Sequence, residues 1–255
     1  MIHLPSLPGS PNNLLGINDI LSFAFGELDT LVSGGIDGII VENFHDYPFY
    51  PQSVEPITIA SMAIVTQALV QKSTVPIGVN ILRNACSEAL SIAALTNASF
   101  IRCNIWTGAY VTDQGIITGC AHTVKRLQKT LAAANNCTSP LIFVDVHCKH
   151  ASPLSNRPLE LEVLDTFDRG AADAVIITGE RTGLSAKIEN LQMLHKKKIH
   201  PILIGSGVTS ENVELLLPYA DGVIVGTSLK RNCKIDEPTD LKKVQNLVAK
   251  AKNTD

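Results

Sequence analysis

The stretch Leu141-Ile-Phe-Val-Asp145-Val-His147-Cys-Lys149-His150 decides the fold predicted from this sequence. It begins as a buried β-strand, with apolar and β-branched residues in unbroken succession. It ends with an acid, two histidines and a lysine close together. Because side chains alternate along a strand, Asp145, His147 and Lys149 are expected to share one face. An apolar strand that becomes polar at its carboxyl end is typical of parallel barrels, which carry their chemistry there.

Short apolar runs alternate with amphipathic, helix-length segments along the whole chain. The predicted strands cover residues 1–3, 38–42, 76–82, 100–105, 141–147, 174–178, 201–205 and 222–225. The predicted helices cover about residues 18–34, 57–72, 85–95, 122–134, 159–169, 187–197, 210–217 and 240–251. This alternation within 255 residues predicts the α/β class and a (β/α)8 TIM barrel, a closed parallel sheet of eight strands. No linker divides the chain, so one domain over residues 1–255 is expected.

The bulk composition excludes several classes of protein. The chain is 45% hydrophobic and 18% charged, with a formal net charge of -3. A slightly acidic chain without a basic patch argues against nucleic acid as a partner. No apolar run approaches the roughly 18 to 20 residues that span a bilayer. We therefore expect a soluble intracellular protein, cytoplasmic by default and organellar if a leader precedes this sequence.

The six cysteines include no Cys-x-x-Cys pair, and we expect reduced thiols rather than a zinc site. Four of them recur every 17 residues, at positions 86, 103, 120 and 137. Nothing else repeats with that period. The spacing is therefore interpreted as coincidence.

Two glycine-rich turns follow the seventh and eighth predicted strands. Glycines allow backbone N–H groups to approach an anion closely, and a helix that starts there adds partial positive charge. The loops after strands 7 and 8 form the usual phosphate site of such barrels. The alternative is that the glycines only make tight turns. The predicted phosphate ligands are Gly205, Ser206, Gly207, Gly226, Thr227 and Ser228.

Polar residues also lie at the carboxyl ends of the other predicted strands. Asp145, His147 and Glu42 are the candidate catalytic groups, with His147 as the general acid/base. The alternative for Arg102 is a structural ion pair with Asp145 or Glu42 beneath the site. The alternative for Lys149 is a solvated loop lysine. The predicted substrate-binding residues are His3, Asn80, Arg102, Asn104, Lys149 and, in an ordered lid after strand 4, Asp113; the loop 180–183 is a further candidate.

A divalent metal is the weaker alternative for the same polar residues. Glu42, His45 and Asp46 could supply oxygen and nitrogen ligands together with His3, Asp145 and His147. However, the sequence contains no His-x-His or His-Glu-x-x-His pair. No nucleophile elbow of the Gly-x-Ser-x-Gly type occurs either. We therefore predict neither a metal nor another cofactor.

Nine stretches of the chain resemble the BtpA family, which includes SgcQ-like proteins, and the resemblance runs nearly end to end. They are Met1-Ile-His-Leu-Pro-Ser-Leu-Pro-Gly-Ser-Pro11, Val41-Glu-Asn-Phe44, Gly78-Val-Asn-Ile-Leu-Arg-Asn84, Phe100-Ile-Arg102, Thr107-Gly-Ala109, Val111-Thr-Asp-Gln-Gly115, Asp145-Val-His-Cys-Lys-His-Ala151, Gly205-Ser-Gly-Val-Thr209 and Val225-Gly-Thr-Ser-Leu-Lys-Arg231. The resemblance implies a TIM barrel. It implies no particular reaction, because the family name records a role in photosystem I biogenesis while members also resemble phosphate-binding barrels. Ala85 and Cys86 depart from the family pattern, in which an acidic residue is common.

Together these observations predict an enzyme that acts on a small phosphorylated metabolite, such as a sugar phosphate or a nucleotide. Acid/base chemistry of the lyase, isomerase or transferase type is the simplest use of the predicted groups. One alternative is a non-catalytic assembly or stability factor, as the family name suggests. The other is a ligand-binding barrel without turnover. A homo-oligomer is expected on base rates.

Overall fold

The computed structural model describes residues 1–134, 139–179 and 186–253. The chain forms two compact units. The first unit contains Met1–Val32, Ile36–Asn104 and Cys120–Ile142, and the second contains Ser33–Gly35, Ile105–Gly119 and Phe143–Asp255. The single domain over residues 1–255 stays a prediction.

The first unit carries four parallel strands and the helices that follow them. Its elements are β1 (Ile2–His3), α1 (Ile17–Ser33), β2 (Ile39–Glu42), α2 (Pro56–Lys72), β3 (Ile77–Asn80), α3 (Cys86–Thr96), β4 (Phe100–Cys103) and α4 (Ala121–Ala133). Every residue of β2 and β3 is buried, as expected for parallel strands that are covered on both faces. The parallel register pairs His3 with Glu42, and Glu42 with Asn80. The polar residues at the carboxyl ends of three strands are therefore neighbours.

The second unit carries the remaining parallel strands and a small antiparallel sheet. Its elements are β5 (Ala109–Thr112), β6 (Gly115–Thr118), β7 (Leu141–Val146, whose first two residues belong to the first unit), β8 (Ala151–Pro153), α5 (Leu159–Asp168), β9 (Ala174–Ile177), α6 (Ile188–Lys196), β10 (Ile202–Ile204), α7 (Val213–Leu216), β11 (Gly222–Val223) and α8 (Leu241–Lys252). Short 3-10 turns cover Leu217–Tyr219, Thr227–Leu229 and Arg231–Cys233. The parallel strands follow the order β7-β9-β10-β11, and the antiparallel ones the order β6-β5-β8.

The α/β class and eight parallel strands in chain order are confirmed. The predicted closure of the sheet is wrong, because the strand order ends at β1 and β11 and the described residues contain no pairing of these two. Both strands are two residues long, which leaves few backbone groups for a further ladder. Strands β5, β6 and β8 form where the sequence predicted a loop. We call them the lid sheet.

Helix α7 is shorter than the predicted helix over residues 210–217. It contains only Val213–Leu216 and passes directly into the 3-10 turn Leu217–Tyr219. Pro218 explains this end, since proline has no N–H to continue the α-helical ladder. Within the described residues, every helix is too short or too polar to cross a bilayer.

Candidate functional site

Three predicted residues meet at the strand ends of the first unit. The Asn80 Nδ2 group donates a hydrogen bond to Oε2 of Glu42. His3 Nε2 lies 3.9 Å from Oε1 of the same carboxylate. All three side chains are buried, because neighbouring strands place them side by side in register. The structure brings these three residues together, and the catalytic role of Glu42 and the substrate contacts of His3 and Asn80 stay predictions.

Two residues of the metal alternative, His45 and Asp46, contact loop residues of the first unit. Asp46 accepts hydrogen bonds from the backbone N–H of Leu7 at 2.7 Å and from Asn43 Nδ2 at 3.0 Å. Burial raises the pKa of Asp46 above its usual value, although both hydrogen bonds oppose the rise. His45 Nδ1 lies 2.7 Å from the carbonyl oxygen of Leu4. Across the described ranges, no three His, Cys, Asp or Glu side chains are placed to hold a metal ion.

Arg102 and Asn104 lie at the end of β4 and just beyond it. Both are buried in the first unit, with 7% and 4% of their surfaces exposed. Burial of a guanidinium requires polar partners around it. The ion pair that was predicted for Arg102, and the substrate contacts of both residues, stay predictions.

Strand β7 ends before His147. Asp145 lies on the strand and is buried, in register with Ile176 of β9. His147 follows the last strand residue and has a φ of 55°, in the left-handed region. The alternation of faces therefore stops at Val146. The prediction that His147 and Lys149 share a face with Asp145 by alternation is wrong for this reason.

The His147 imidazole lies against two residues that the sequence did not identify. Its Nε2 atom is 3.0 Å from Oε2 of Glu162 on α5. That distance suits an ion pair, but the angles do not meet hydrogen-bond geometry. The Tyr110 hydroxyl of the lid sheet donates to the same oxygen at 3.2 Å. We call Tyr110, His147 and Glu162 the lid cluster.

Two members of the lid cluster, Tyr110 and Glu162, are buried. Burial raises the pKa of the Tyr110 phenol well above its usual value, and the Glu162 carboxylate raises it further. Glu162 is 9% exposed and lies one turn before Thr166, which is also buried. This pair of polar residues at i and i+4 on the buried face of α5 is the signal that could have identified Glu162.

A cavity of about 190 Å³ adjoins the lid cluster in the second unit. Arg157 and Asp165 line it, and Arg157 donates to Asp165 at 2.6 Å. Tyr110 and Glu162 line its other side. The side chains that line the cavity carry both signs of charge.

Side-chain hydrogen bonds connect the strand ends of the second unit. The Thr178 hydroxyl donates to the carbonyl oxygen of His147 at 3.0 Å, which joins the end of β9 to the end of β7. The backbone N–H of Gly179 donates to Oγ of Ser206 at 2.9 Å, which joins β9 to the loop after β10. These bonds fix the position of the strand ends.

The two predicted phosphate loops lie next to each other. The Ser228 hydroxyl, in the loop after β11, donates to the carbonyl oxygen of Val208, in the loop after β10, at 2.7 Å. Gly207 has a φ of 66°, which favours glycine, and its carbonyl oxygen accepts from Asn212 at 2.8 Å. The expected helix start after Gly207 adds little charge, because α7 has only four residues.

The other predicted ligands have different positions. Asp113 is exposed at the turn of the β5–β6 hairpin, where it accepts a hydrogen bond from Gln114 at 2.6 Å. Lys149 is partly buried in the turn that follows β7. Gly205, Gly226 and Thr227 lie in the loops described above. The loop 180–183 lies outside the described residues. Binding by any of these residues stays a prediction.

Comparisons with known proteins identify relatives along nearly the whole chain. The model of the BtpA family matches residues 1–253. An uncharacterised protein of Methanocaldococcus jannaschii is 41% identical over 255 residues, which are 99% of this chain and 95% of that protein. The photosystem I biogenesis protein BtpA of Synechocystis sp. is 39% identical over 241 residues, 94% of this chain and 82% of that protein. A Caenorhabditis elegans protein named as mitochondrial is 35% identical, over 90% of this chain and 83% of that protein.

Solved structures share the fold at low sequence identity. The N-(5'-phosphoribosyl)anthranilate isomerase of Pyrococcus furiosus has a TM-score of 0.58 at 18% identity, covering 89% of this chain and 93% of that one. The thiamine phosphate pyrophosphorylase of the same organism has a TM-score of 0.59 at 14% identity, covering 91% and 90%. At this identity the likeness shows a TIM-barrel-like fold alone.

Proposed function

The chain belongs to the BtpA family, and from this premise we propose that it is an enzyme acting on a small phosphorylated metabolite. The observation that carries the proposal is the Ser228–Val208 hydrogen bond, which holds the two glycine-rich loops together. Paired loops at neighbouring strand ends offer several backbone N–H groups to one phosphate. A sugar phosphate or a nucleotide is the proposed class of substrate.

The names of structural neighbours support the phosphate part of the proposal. The two Pyrococcus furiosus proteins are named for a phosphoribosyl compound and for thiamine phosphate. A neighbour from Salmonella typhimurium is named 3-hexulose-6-phosphate synthase, with a TM-score of 0.58. Barrels of this kind usually bind phosphate in the loops after their last two strands. In this chain those are the loops that contain Gly207 and Ser228.

Asp145 and His147 are the proposed acid/base pair. Both lie at the end of β7, in the same unit as the glycine-rich loops. The His147 side chain is 37% exposed, so a substrate can reach the ring, whereas its Nε2 atom is buried against Glu162. Glu162 and the Thr178 hydroxyl fix its ring and its backbone, respectively. Proton transfer in a lyase, isomerase or transferase reaction is the chemistry that these groups support.

Thermal-shift measurement with phosphorylated metabolites tests the phosphate site. A ligand present at 100 times its dissociation constant stabilises the folded state by about 2.7 kcal/mol. The Tm of a chain of this size should then rise by about 5 to 10 °C. Sugar phosphates, nucleotides and their dephosphorylated forms are compared, and only the phosphorylated forms are expected to act. If no phosphorylated compound shifts the Tm of the folded protein, the phosphate site is refuted.

Gly207→Ala should remove the shift given by the active compound. Alanine at a φ of 66° strains the loop, and its methyl group hinders approach of the phosphate. Gly115→Ala is the matched control, because Gly115 also has a positive φ, of 95°, but has open space around it in the lid sheet. Both variants should lose similar stability. Only Gly207→Ala should lose the ligand response.

A role in assembly is the second candidate, favoured by the name of the Synechocystis relative. Asp145→Asn combined with His147→Asn separates the two candidates in a Synechocystis strain that lacks its own BtpA. If the unaltered chain and the folded variant both restore photosystem I, the result supports assembly and refutes catalysis. Loss of restoration in the variant alone would support catalysis. Binding of a ligand without any turnover would make the chain a ligand-binding protein instead.

We further propose that the protein is a homo-oligomer in the cytoplasm. The proposal of association rests on the high frequency of symmetric homo-oligomers among soluble proteins. The name of the Caenorhabditis elegans relative favours an organellar location as the alternative. Light scattering of the purified protein gives its mass in solution. A mass of 27.4 kDa, that of one chain, would refute association.

A further inference from the structure

Three cysteines of the first unit come together, although they are 17 residues apart in the sequence. Cys86 is the first residue of α3, Cys103 is the last residue of β4, and Cys120 precedes α4. The end of one strand and the starts of two helices therefore supply one thiol each. We call Cys86, Cys103 and Cys120 the thiol cluster. Its chemistry is independent of the phosphate site proposed above.

Hydrogen bonds connect the thiol cluster around Asn84. The Asn84 Nδ2 group donates to the Cys120 sulfur at 3.8 Å, and the Cys86 thiol donates to Asn84 Oδ1 at 3.4 Å. Cys103 and Cys86 also lie close enough to the Cys120 sulfur to change its pKa. The three sulfur atoms are therefore neighbours, and none of the three is in a disulfide.

The environment favours a negative charge on Cys120 rather than on Cys86. The thiols of Cys103 and Cys86 are the main cause that lowers the pKa of Cys120 far below its usual value, while burial opposes them. Burial raises the pKa of Cys86, so it remains a hydrogen-bond donor. Cys120 also stands before the 13-residue helix α4, whose N-terminus favours a negative charge. Glu88 of α3 is the acidic group that faces Cys120 and opposes this charge.

Accessibility decides which thiol meets a reagent first. Cys86 and Cys103 are buried, with 3% and 0% of their surfaces exposed. Cys120 is partly exposed. A small oxidant therefore reaches Cys120 before the other two. The Cys86 thiol already donates to Asn84, and Cys103 has the largest influence on the Cys120 sulfur, so Cys103 is the thiol placed to react next.

We propose that Cys120 is a site of oxidation by hydroperoxides and that it then forms a disulfide with Cys103. The Cys120 thiolate attacks one oxygen of ROOH, the O–O bond breaks, and the departing alkoxide takes a proton to give ROH. Cys120 is then a sulfenic acid. The Cys103 sulfur attacks the Cys120 sulfur, the S–O bond breaks, and the hydroxyl leaves with the Cys103 proton as water. One hydroperoxide and two thiols thus give one disulfide, one alcohol and one water.

Peptide mapping of the unaltered protein tests this proposal without any substitution. The folded protein is treated with a small excess of hydrogen peroxide, the remaining thiols are blocked, and the peptides are identified by mass spectrometry. The expected product is the Cys103–Cys120 disulfide, reversed by a dithiol reductant. A Cys86–Cys120 disulfide would refute the role of Cys103. Unmodified Cys120, under conditions in which the exposed Cys233 is oxidised, would refute the site.

The pH dependence of alkylation provides a second readout. An ordinary thiol with a pKa of about 8.5 loses roughly 80-fold in thiolate fraction between pH 8 and pH 6. The alkylation rate of Cys120 should change less than about 3-fold over this range, because it stays a thiolate. Cys103→Ser should trap the Cys120 sulfenic acid, which dimedone labels, while the matched control Cys233→Ser should leave disulfide formation unchanged. A Cys120 rate that falls 80-fold, or no dimedone adduct in folded Cys103→Ser, would refute the proposal.

Discussion

The hydrogen bond between Tyr110 and Glu162 gives the sharpest test of the lid cluster. Tyr110→Phe removes the hydroxyl but keeps the ring, which packs with Ile105, Ile117 and Cys148. A bond from a neutral donor to a charged acceptor contributes about 1.5 to 3 kcal/mol. The O–O distance of 3.2 Å is long for such a bond, so we expect Tyr110→Phe to lower the free energy of unfolding by about 1.5 kcal/mol.

A double-mutant cycle separates this bond from the packing of the ring. In the Glu162→Gln variant the acceptor is neutral, so adding Tyr110→Phe should lower the free energy of unfolding by only about 0.5 kcal/mol. The expected coupling energy is therefore about 1 kcal/mol, well above the roughly 0.3 to 0.5 kcal/mol within which independent sites add. Urea denaturation of the four proteins measures it. Tyr47→Phe, at a half-exposed tyrosine of the first unit, is the control and should change nothing. Additive single substitutions would refute the bond between Tyr110 and Glu162.

Two further predictions concern stability. Burial raises the pKa of Asp221, but hydrogen bonds from Ile202 and His200 outweigh it, so the folded-state pKa lies below the unfolded value of about 3.9. This stabilisation is present above that pH and is lost as the pH falls through the folded-state pKa. Because the Asp221 side chain is 43% exposed and solvent screens its charge, Asp221→Asn should lower the unfolding free energy by only about 0.5 kcal/mol at pH 7, and by less as the pH falls below about 3.9; an equal cost at all pH values would contradict the argument. Gly170→Ala would place a methyl group 2.6 Å from the Thr166 carbonyl oxygen, and should lower the unfolding free energy by about 2 kcal/mol. The control Gly26→Ala, in the open middle of α1, should raise it by about 0.5 to 1 kcal/mol, and similar values for both would contradict the clash.

The sequence predicted the parallel strands well because their burial pattern is local. The runs that became β2, β3 and β7 are mainly apolar, with one polar residue at or near the carboxyl end of each, and parallel strands covered on both faces favour such runs. The lid sheet was not predicted as strands. Its strands have only three or four residues, and Tyr110 pairs with Pro153, which no short sequence window contains, as well as with Ile117.

The polar residues of the site were predicted to different degrees for a physical reason. Glu42 and Asn80 lie on strands, where the two-residue period and the register dictate the face of each side chain. His147 lies one residue beyond β7 with a positive φ, and nothing in the residue type announces that conformation. Its neighbour Glu162 comes from a helix that starts 12 residues later. Contacts of this kind depend on tertiary packing rather than on local pattern.

The position of the Ser228 hydroxyl narrows how the glycine-rich loops can bind a phosphate. Its proton is used in the bond to Val208, so in this arrangement the hydroxyl cannot also donate to an anion. Ser228 therefore acts as the connection between the loops, and the backbone N–H groups around Gly207 and Gly226 remain the proposed ligands. Such donors need no side-chain charge and are held in place before the ligand arrives. This is why replacing a glycine, rather than a serine, is the decisive test of the phosphate site.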